Sequence, residues 1–74
     1  LQLKIDMIVE SMPLQRRTVF RLSRIQGLAN DEIARRLGIQ KKTVENHLNL
    51  ALKELKEALQ LYLIMLIIWV KHGH

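Results

Sequence analysis

The sequence predicts an all-α fold, a small helical domain of about four helices with a helix-turn-helix and a long C-terminal helix. Apolar residues recur along the chain at three- and four-residue spacing, and no segment alternates apolar and polar residues as a strand does. The 74 residues suffice for one core and leave no room for a second. We therefore expect a helix-turn-helix domain over residues 1–60 and an apolar helical extension over residues 61–74.

The first two helices are separated by Pro13. Apolar residues at helical spacing predict a first helix over about residues 2–11, which ends before the proline. Pro13 suits the first turn of a second helix, where its missing N–H costs nothing, and Gly27 is expected to end that helix. The buried side of the second helix is expected to consist of four apolar residues: Val19, Phe20, Leu22 and Ile25.

Residues 27–48 have the spacing of a helix-turn-helix. Ala34 is small where a second helix must cross, Gly38 supplies the left-handed backbone of a tight turn, and Val44 would bury the second helix against the first. The alternative is an ordinary glycine cap between two amphipathic helices. The short turn and the lysines that open the next helix near Lys41 favour the helix-turn-helix, and with it DNA binding.

Capping residues and periodicity predict the third and fourth helices. Asn30 is expected to be the N-cap of the third helix, with Asp31 and Glu32 in its first turn, where they complement the helix dipole. The fourth helix is expected to be long and continuous, because apolar residues follow helical spacing over most of its length. These residues are Val44, Leu48, Ala51, Leu52, Leu55 and Leu59.

Composition favours a polyanionic partner and no catalytic role. The formal net charge is +5, although a basic surface also simply keeps a protein soluble. One Phe, one Tyr and one Trp are too few for a base-stacking single-strand binder, so duplex DNA fits better. The chain has no cysteine, which suits a reducing compartment, and no nucleophile or paired carboxylates placed with a histidine. We expect a non-enzyme without a cofactor, and His72 and His74 fall short of a closed metal site.

The outward side of the second motif helix carries the candidate base contacts: Glu45, Asn46 and Asn49. An Asn side chain can pair bidentately with adenine, and a Glu carboxylate can accept from cytosine N4. Asn46 is the first candidate, whereas Asn49, farther along, fits a solvated surface equally well.

Long cationic side chains near a helix start can reach the DNA backbone without reading sequence. The candidates for phosphate contacts are Arg17, Arg35, Lys41, Lys42 and His47. The alternative for Arg35 is an untargeted surface charge, and for His47 a partly buried spacer.

Several short segments resemble the fourth conserved domain of sigma-70 family factors, the extracytoplasmic-function group in particular. The resemblance covers about residues 12–58 and implies recognition of the promoter −35 element, docking on the flap of the RNA polymerase β subunit and a cytoplasmic location. An anti-sigma protein is a further candidate partner. Gln40 departs from the family, which often has a Ser cap there. The segments are Met12-Pro13, Arg17, Val19-Phe20-Arg21-Leu22, Gly27-Leu28, Glu32-Ile33-Ala34, Leu37-Gly38-Ile39, Thr43-Val44 and Ala51-Leu52.

The alternative family is the LuxR-type output domain of transcriptional regulators. It shares a Glu-Ile-Ala, a Thr-Val and a His three residues after the Val, which here would be residues 32–34, residues 43–44 and His47. That family usually opens with Leu-Thr-x-Arg-Glu, whereas this chain has Met-Pro-Leu-Gln-Arg-Arg over residues 12–17. The difference favours the sigma resemblance.

Residues 61–70 form an uninterrupted apolar run. As a helix, residues 59–70 would span about 18 Å, well below the roughly 30 Å of a bilayer core. Three alternatives stay open: the run packs back on the core through Leu63, Leu66 and Trp69, it binds a second copy or another protein, or it lies in a membrane interface. We favour binding to a second copy or to another protein, because soluble proteins seldom expose such a patch. A protein-interaction module is therefore a second functional class for this chain.

Overall fold

The computed structural model describes the backbone of residues 2–72 and the side chains of residues 5–72. It contains four α-helices and, within that range, no strand, so the predicted all-α class is confirmed. His74, half of the terminal histidine pair, lies outside the described residues. The helices are α1 (Gln2–Glu10), α2 (Leu14–Arg24), α3 (Asn30–Leu37) and α4 (Lys41–His72).

The core consists of two clusters, both of which include residues of α2 and α4. Neighbouring residues of α2 serve different clusters, because Val19 belongs to one and Phe20 to the other. The first cluster joins α2, α3 and the start of α4 through Val19, Ile33, Ala34, Val44 and Leu48. The second joins the end of α1 and the residues after it to α2 and the middle of α4 through Val9, Met12, Phe20 and Ala51.

The second helix differs from the prediction at both ends. Pro13 is its N-cap and not its first helical residue, and the Pro13 carbonyl accepts a hydrogen bond from the Arg17 N–H at 2.9 Å. The helix ends at Arg24, before Gly27, and the Leu28 N–H closes the following turn on the Leu22 carbonyl at 3.0 Å. Ile25, predicted to be buried, is 74% exposed because the helix has already ended there.

The third helix begins one residue earlier than predicted. Its N-cap is Ala29, which has extended backbone and whose carbonyl accepts the first helical bond from Ile33 at 3.0 Å. Asn30 is therefore inside the helix and provides no side-chain cap, so its prediction as N-cap is wrong. Asp31 and Glu32 lie in the first turn as expected, where their charges face the positive end of the helix dipole.

Helix α4 is a single helix of 32 residues, and it elongates the molecule to 52 × 19 × 18 Å. Its inner side passes through Ala51, so Leu52, although part of the predicted apolar pattern, is 42% exposed. Beyond Gln60 every described residue is exposed. We call residues 61–72 the tail.

The tail does not fold back on the domain. Leu63, Leu66 and Trp69 are 53%, 44% and 59% exposed, so the alternative that makes them core residues is wrong. The physical reason is that α4 stays helical past its last core residue and carries the tail away from the core. No helix in the described range is long and apolar enough to span a membrane.

Candidate nucleic-acid interface

The turn between α3 and α4 has the geometry predicted for a helix-turn-helix. Gly38 adopts left-handed backbone with φ 67° and ψ 34°, and its N–H and that of Ile39 both donate to the Ala34 carbonyl. Residues 38–40 then connect directly to α4. Left-handed backbone strains any residue with a Cβ, which explains why glycine occupies this turn.

The two helices of the motif are held together by packing of apolar side chains. Ala34 is 9% exposed, and Val44 is fully buried beside it in the same cluster as Ile33. No charged or polar side chain among the described residues is buried in this core. The first turns of α4 are therefore fixed on one side, and their other side is free for a ligand.

The predicted base-contacting residues lie on or near that free side. Asn46 and Asn49 are exposed, as is Lys42, and the spacing of these three residues places them on one outward side of α4. Glu45 is half-buried at the edge of this surface. The arrangement presents two amide side chains and one ammonium group next to each other, a set able to donate to and accept from base edges.

Three of the predicted phosphate-contacting cations already have carboxylate partners. Lys41 Nζ lies 3.4 Å from Asp31 Oδ1, Arg35 pairs with Glu32, and Arg17 Nη1 donates to Glu10 Oε1 at 2.9 Å. Lys42 forms no ion pair within the described part of the chain. It is thus the one predicted phosphate contact among the Lys and Arg side chains that needs no prior exchange of partners.

Glu10 is a residue that the sequence analysis missed. Its carboxylate accepts hydrogen bonds from both Arg21 and Arg17, so it joins the last turn of α1 to α2. The hydrogen bond from Arg21, together with that from Arg17, lowers the pKa of Glu10 below its ordinary value. Glu10 precedes these arginines by 7 and 11 residues across a helix boundary, and no local pattern signals such a pairing.

His47 is half-buried and connects α4 to α2. Its Nε2 lies 2.9 Å from Gln15 Oε1, and because an amide oxygen only accepts, Nε2 is the donor. The Nδ1 atom is buried without a hydrogen-bond partner among the described residues. A phosphate contact from Nε2 would require the bond to Gln15 to be exchanged, and the geometry equally fits the alternative of a partly buried spacer.

A second connection between α2 and α4 is the ion pair of Arg16 with Glu54, which the sequence analysis also missed. The partners are 38 residues apart, and both side chains are only partly exposed, at 21% and 36%. With the bond from His47, this pair fixes the orientation of α2 along the helix that carries the candidate base contacts.

Comparison with protein families gives a match that covers most of the chain. The family model described as Sigma-70, region 4 matches residues 2–55, which include α1, α2, α3 and the first half of α4. The tail lies outside the matched residues. Comparisons with curated proteins and with solved structures gave no significant match.

Proposed function

The chain belongs to the sigma-70 region 4 family, and we propose on that basis that its helix-turn-helix binds the −35 element of promoter DNA. In this proposal the domain is part of a sigma factor that directs RNA polymerase to its start sites. The family is a DNA-binding, non-catalytic one. The observation that carries the proposal to particular residues is the exposed surface of Lys42, Asn46 and Asn49 on a helix whose opposite side is locked by Val44.

Asn46 is the residue we propose to read sequence most directly. It lies in the second turn of α4, where recognition helices enter the major groove, and its exposed amide can both donate and accept. Glu45, at the edge of the surface, can accept from a cytosine amino group. Asn49 lies one turn farther along and extends the same surface.

Lys42 is the residue we propose to contact phosphate without exchanging an ion pair. Lys41, Arg35 and Arg17 would each release a carboxylate before or during such a contact. We keep them, with His47, as secondary phosphate contacts. The physical basis is that cationic side chains contact the phosphate backbone in a sequence-independent way.

The finer assignments rest on family kinship. We propose the flap of the RNA polymerase β subunit as the protein partner, an anti-sigma protein as a regulator, and a cytoplasmic location. The extracytoplasmic-function group is proposed from the resemblance of residues 12–58. The family match favours a sigma factor over a LuxR-type regulator, whose output domain does not direct core polymerase.

The test begins with duplexes selected from a random library by the full chain, since the promoter sequence is unknown. Binding of wild type, Asn46→Ala and Lys42→Ala to a selected and to a scrambled duplex is then measured by fluorescence anisotropy. Asn46→Ala should lose about 1–3 kcal/mol on the selected duplex and little on the scrambled one. Lys42→Ala should weaken both equally and make the plot of log affinity against log salt shallower by about 1.

Two outcomes would contradict these roles. Equal weakening of binding to both duplexes by Asn46→Ala would show that Asn46 only contacts the DNA backbone. An unchanged salt slope would show that Lys42 is only a solvated surface residue.

The sigma function itself has a separate test: the chain fused to an upstream sigma domain should let core polymerase initiate transcription. Failure of a folded fusion to support initiation, together with activation of a separate holoenzyme, would favour the LuxR-type alternative.

A further inference from the structure

One side of the tail carries an apolar stripe with opposite charges at its two ends. Leu61, Ile64 and Ile68 are spaced by three and four residues, so they lie on one side of α4, and they are 63%, 52% and 53% exposed. The same spacing places Glu57 at the N-terminal end of the stripe and Lys71 at its C-terminal end. Both charged residues are exposed, and neither forms an ion pair within the described part of the chain.

We propose that this stripe binds the same stripe of a second copy of the chain in antiparallel orientation. Ile64 is its centre, because Glu57 precedes it by seven residues and Lys71 follows it by seven. Antiparallel pairing about Ile64 places Glu57 of each copy beside Lys71 of the other. A parallel pair would bring like charges together at both ends, so the charge pattern selects the antiparallel one.

A groove at the base of the tail gives the second copy an additional surface to contact. It lies where α1 meets α4, has a volume of about 450 Å³, and is lined by Ile8, Ala58, Leu61, Tyr62 and Met65. In the antiparallel register, residues 67–70 of the second copy run alongside residues 58–61. They therefore lie along the edge of the groove, and symmetry repeats this contact at the other end, as in any isologous dimer.

Charge complementarity also separates a second copy from a lipid surface. A bilayer would cover the apolar residues of the tail without regard to the pairing of Glu57 with Lys71. Insertion of the helix end-on would in addition carry the ammonium group of Lys71 into hydrocarbon, where charged groups are costly. The lipid alternative thus predicts that binding by the tail does not depend on the pairing of Glu57 with Lys71. This distinguishes it from the dimer.

The test uses the full chain in sedimentation equilibrium over a range of concentrations. Wild type should show a monomer–dimer equilibrium. Glu57→Lys and Lys71→Glu should each raise the dimer dissociation constant about tenfold, because each reverses two symmetric contacts. The double variant Glu57→Lys/Lys71→Glu should have a dimer dissociation constant close to that of wild type, since it restores both pairs with the signs exchanged.

A matched pair of substitutions tests which side of the tail is covered. Ile64→Glu, at the centre of the stripe, should abolish the dimer, whereas Leu66→Glu should leave it intact. Leu66 lies on the opposite side of the same helix and is similarly exposed, at 44% against 52% for Ile64. Circular dichroism checks that both variants stay helical.

Three results would overturn the proposal. The first is a full chain that stays monomeric up to about 100 μM. The second is equal disruption by Ile64→Glu and Leu66→Glu. The third is a charge-swapped double variant whose dimer dissociation constant is no lower than those of the single variants. In that case, flotation of all variants alike with vesicles of phosphatidylcholine and phosphatidylglycerol would assign the tail to lipid.

Discussion

Replacement of Gly38 by alanine isolates the backbone cost of the turn between α3 and α4. A Cβ built on Gly38 meets no heavy atom within 4 Å, so the substitution creates no clash, and the whole cost comes from the φ of +67°. Left-handed backbone costs an L-residue about 1–2 kcal/mol. The loss of unfolded-chain freedom offsets about 0.4–1 kcal/mol of that. We therefore expect Gly38→Ala to destabilise the domain by about 1 kcal/mol.

Thermal and urea unfolding followed by circular dichroism measure this effect. A loss of about 1 kcal/mol lowers the Tm of a domain this small by about 4–8 °C. Gly38→Asn is the control, since Asn tolerates left-handed backbone and should cost less. Gly27→Ala should cost about as much as Gly38→Ala, because Gly27 has φ +70° and equally open surroundings. An alanine variant as stable as wild type, or an asparagine variant as unstable as alanine, would refute the backbone argument.

Three further predictions concern charges and the tail. Asp31→Asn should raise affinity for any duplex about 1.5- to 5-fold at low salt, because it releases Lys41 from an exposed ion pair, and unchanged affinity would remove Lys41 from the phosphate contacts. The pKa of Glu10, measured by NMR titration, should lie below that of a glutamate in an unstructured peptide. The stabilisation from its ionised form is present above the unfolded pKa and is lost as the pH falls through the lowered folded pKa. Glu10→Gln should therefore make the free energy of unfolding less dependent on pH in the acid range. Truncation after Gln60 should leave the unfolding midpoint nearly unchanged at concentrations below the dimer dissociation constant, since every buried residue in the described range precedes the cut, and a collapse of the fold would contradict that.

The sequence predicts well those features that depend on a few neighbouring residues. The left-handed turn at Gly38 and the burial of Ala34 and Val44 follow from steric demands at fixed spacing, and all three are confirmed. Errors are concentrated at helix ends, where Asn30 and Ile25 were misplaced. There a shift of one residue or an early end of a helix changes little in the apolar pattern but reverses the role of a side chain.

Contacts between distant residues could not be predicted. The pairs of Arg16 with Glu54 and of His47 with Gln15 span 38 and 32 residues, and their formation depends on how α2 packs along α4. Glu10 could not be assigned for the same reason. A list of charged residues identifies candidate phosphate contacts, but only the packed helices show which of them are already neutralised.

The pairing of cations with carboxylates limits how many of them are free to contact phosphate. A free cation that contacts phosphate releases counterions, with a salt slope of about 0.9 per contact, whereas a paired cation first gives up a carboxylate and gains less. If Lys41, Arg35 and Arg17 stay paired, the slope should be closer to that of one contact than of four. In that case sequence discrimination would depend on uncharged groups such as Asn46, the proposed base contact. In the proposed function polymerase would provide a second attachment, and that attachment would add to the affinity of the domain for the promoter.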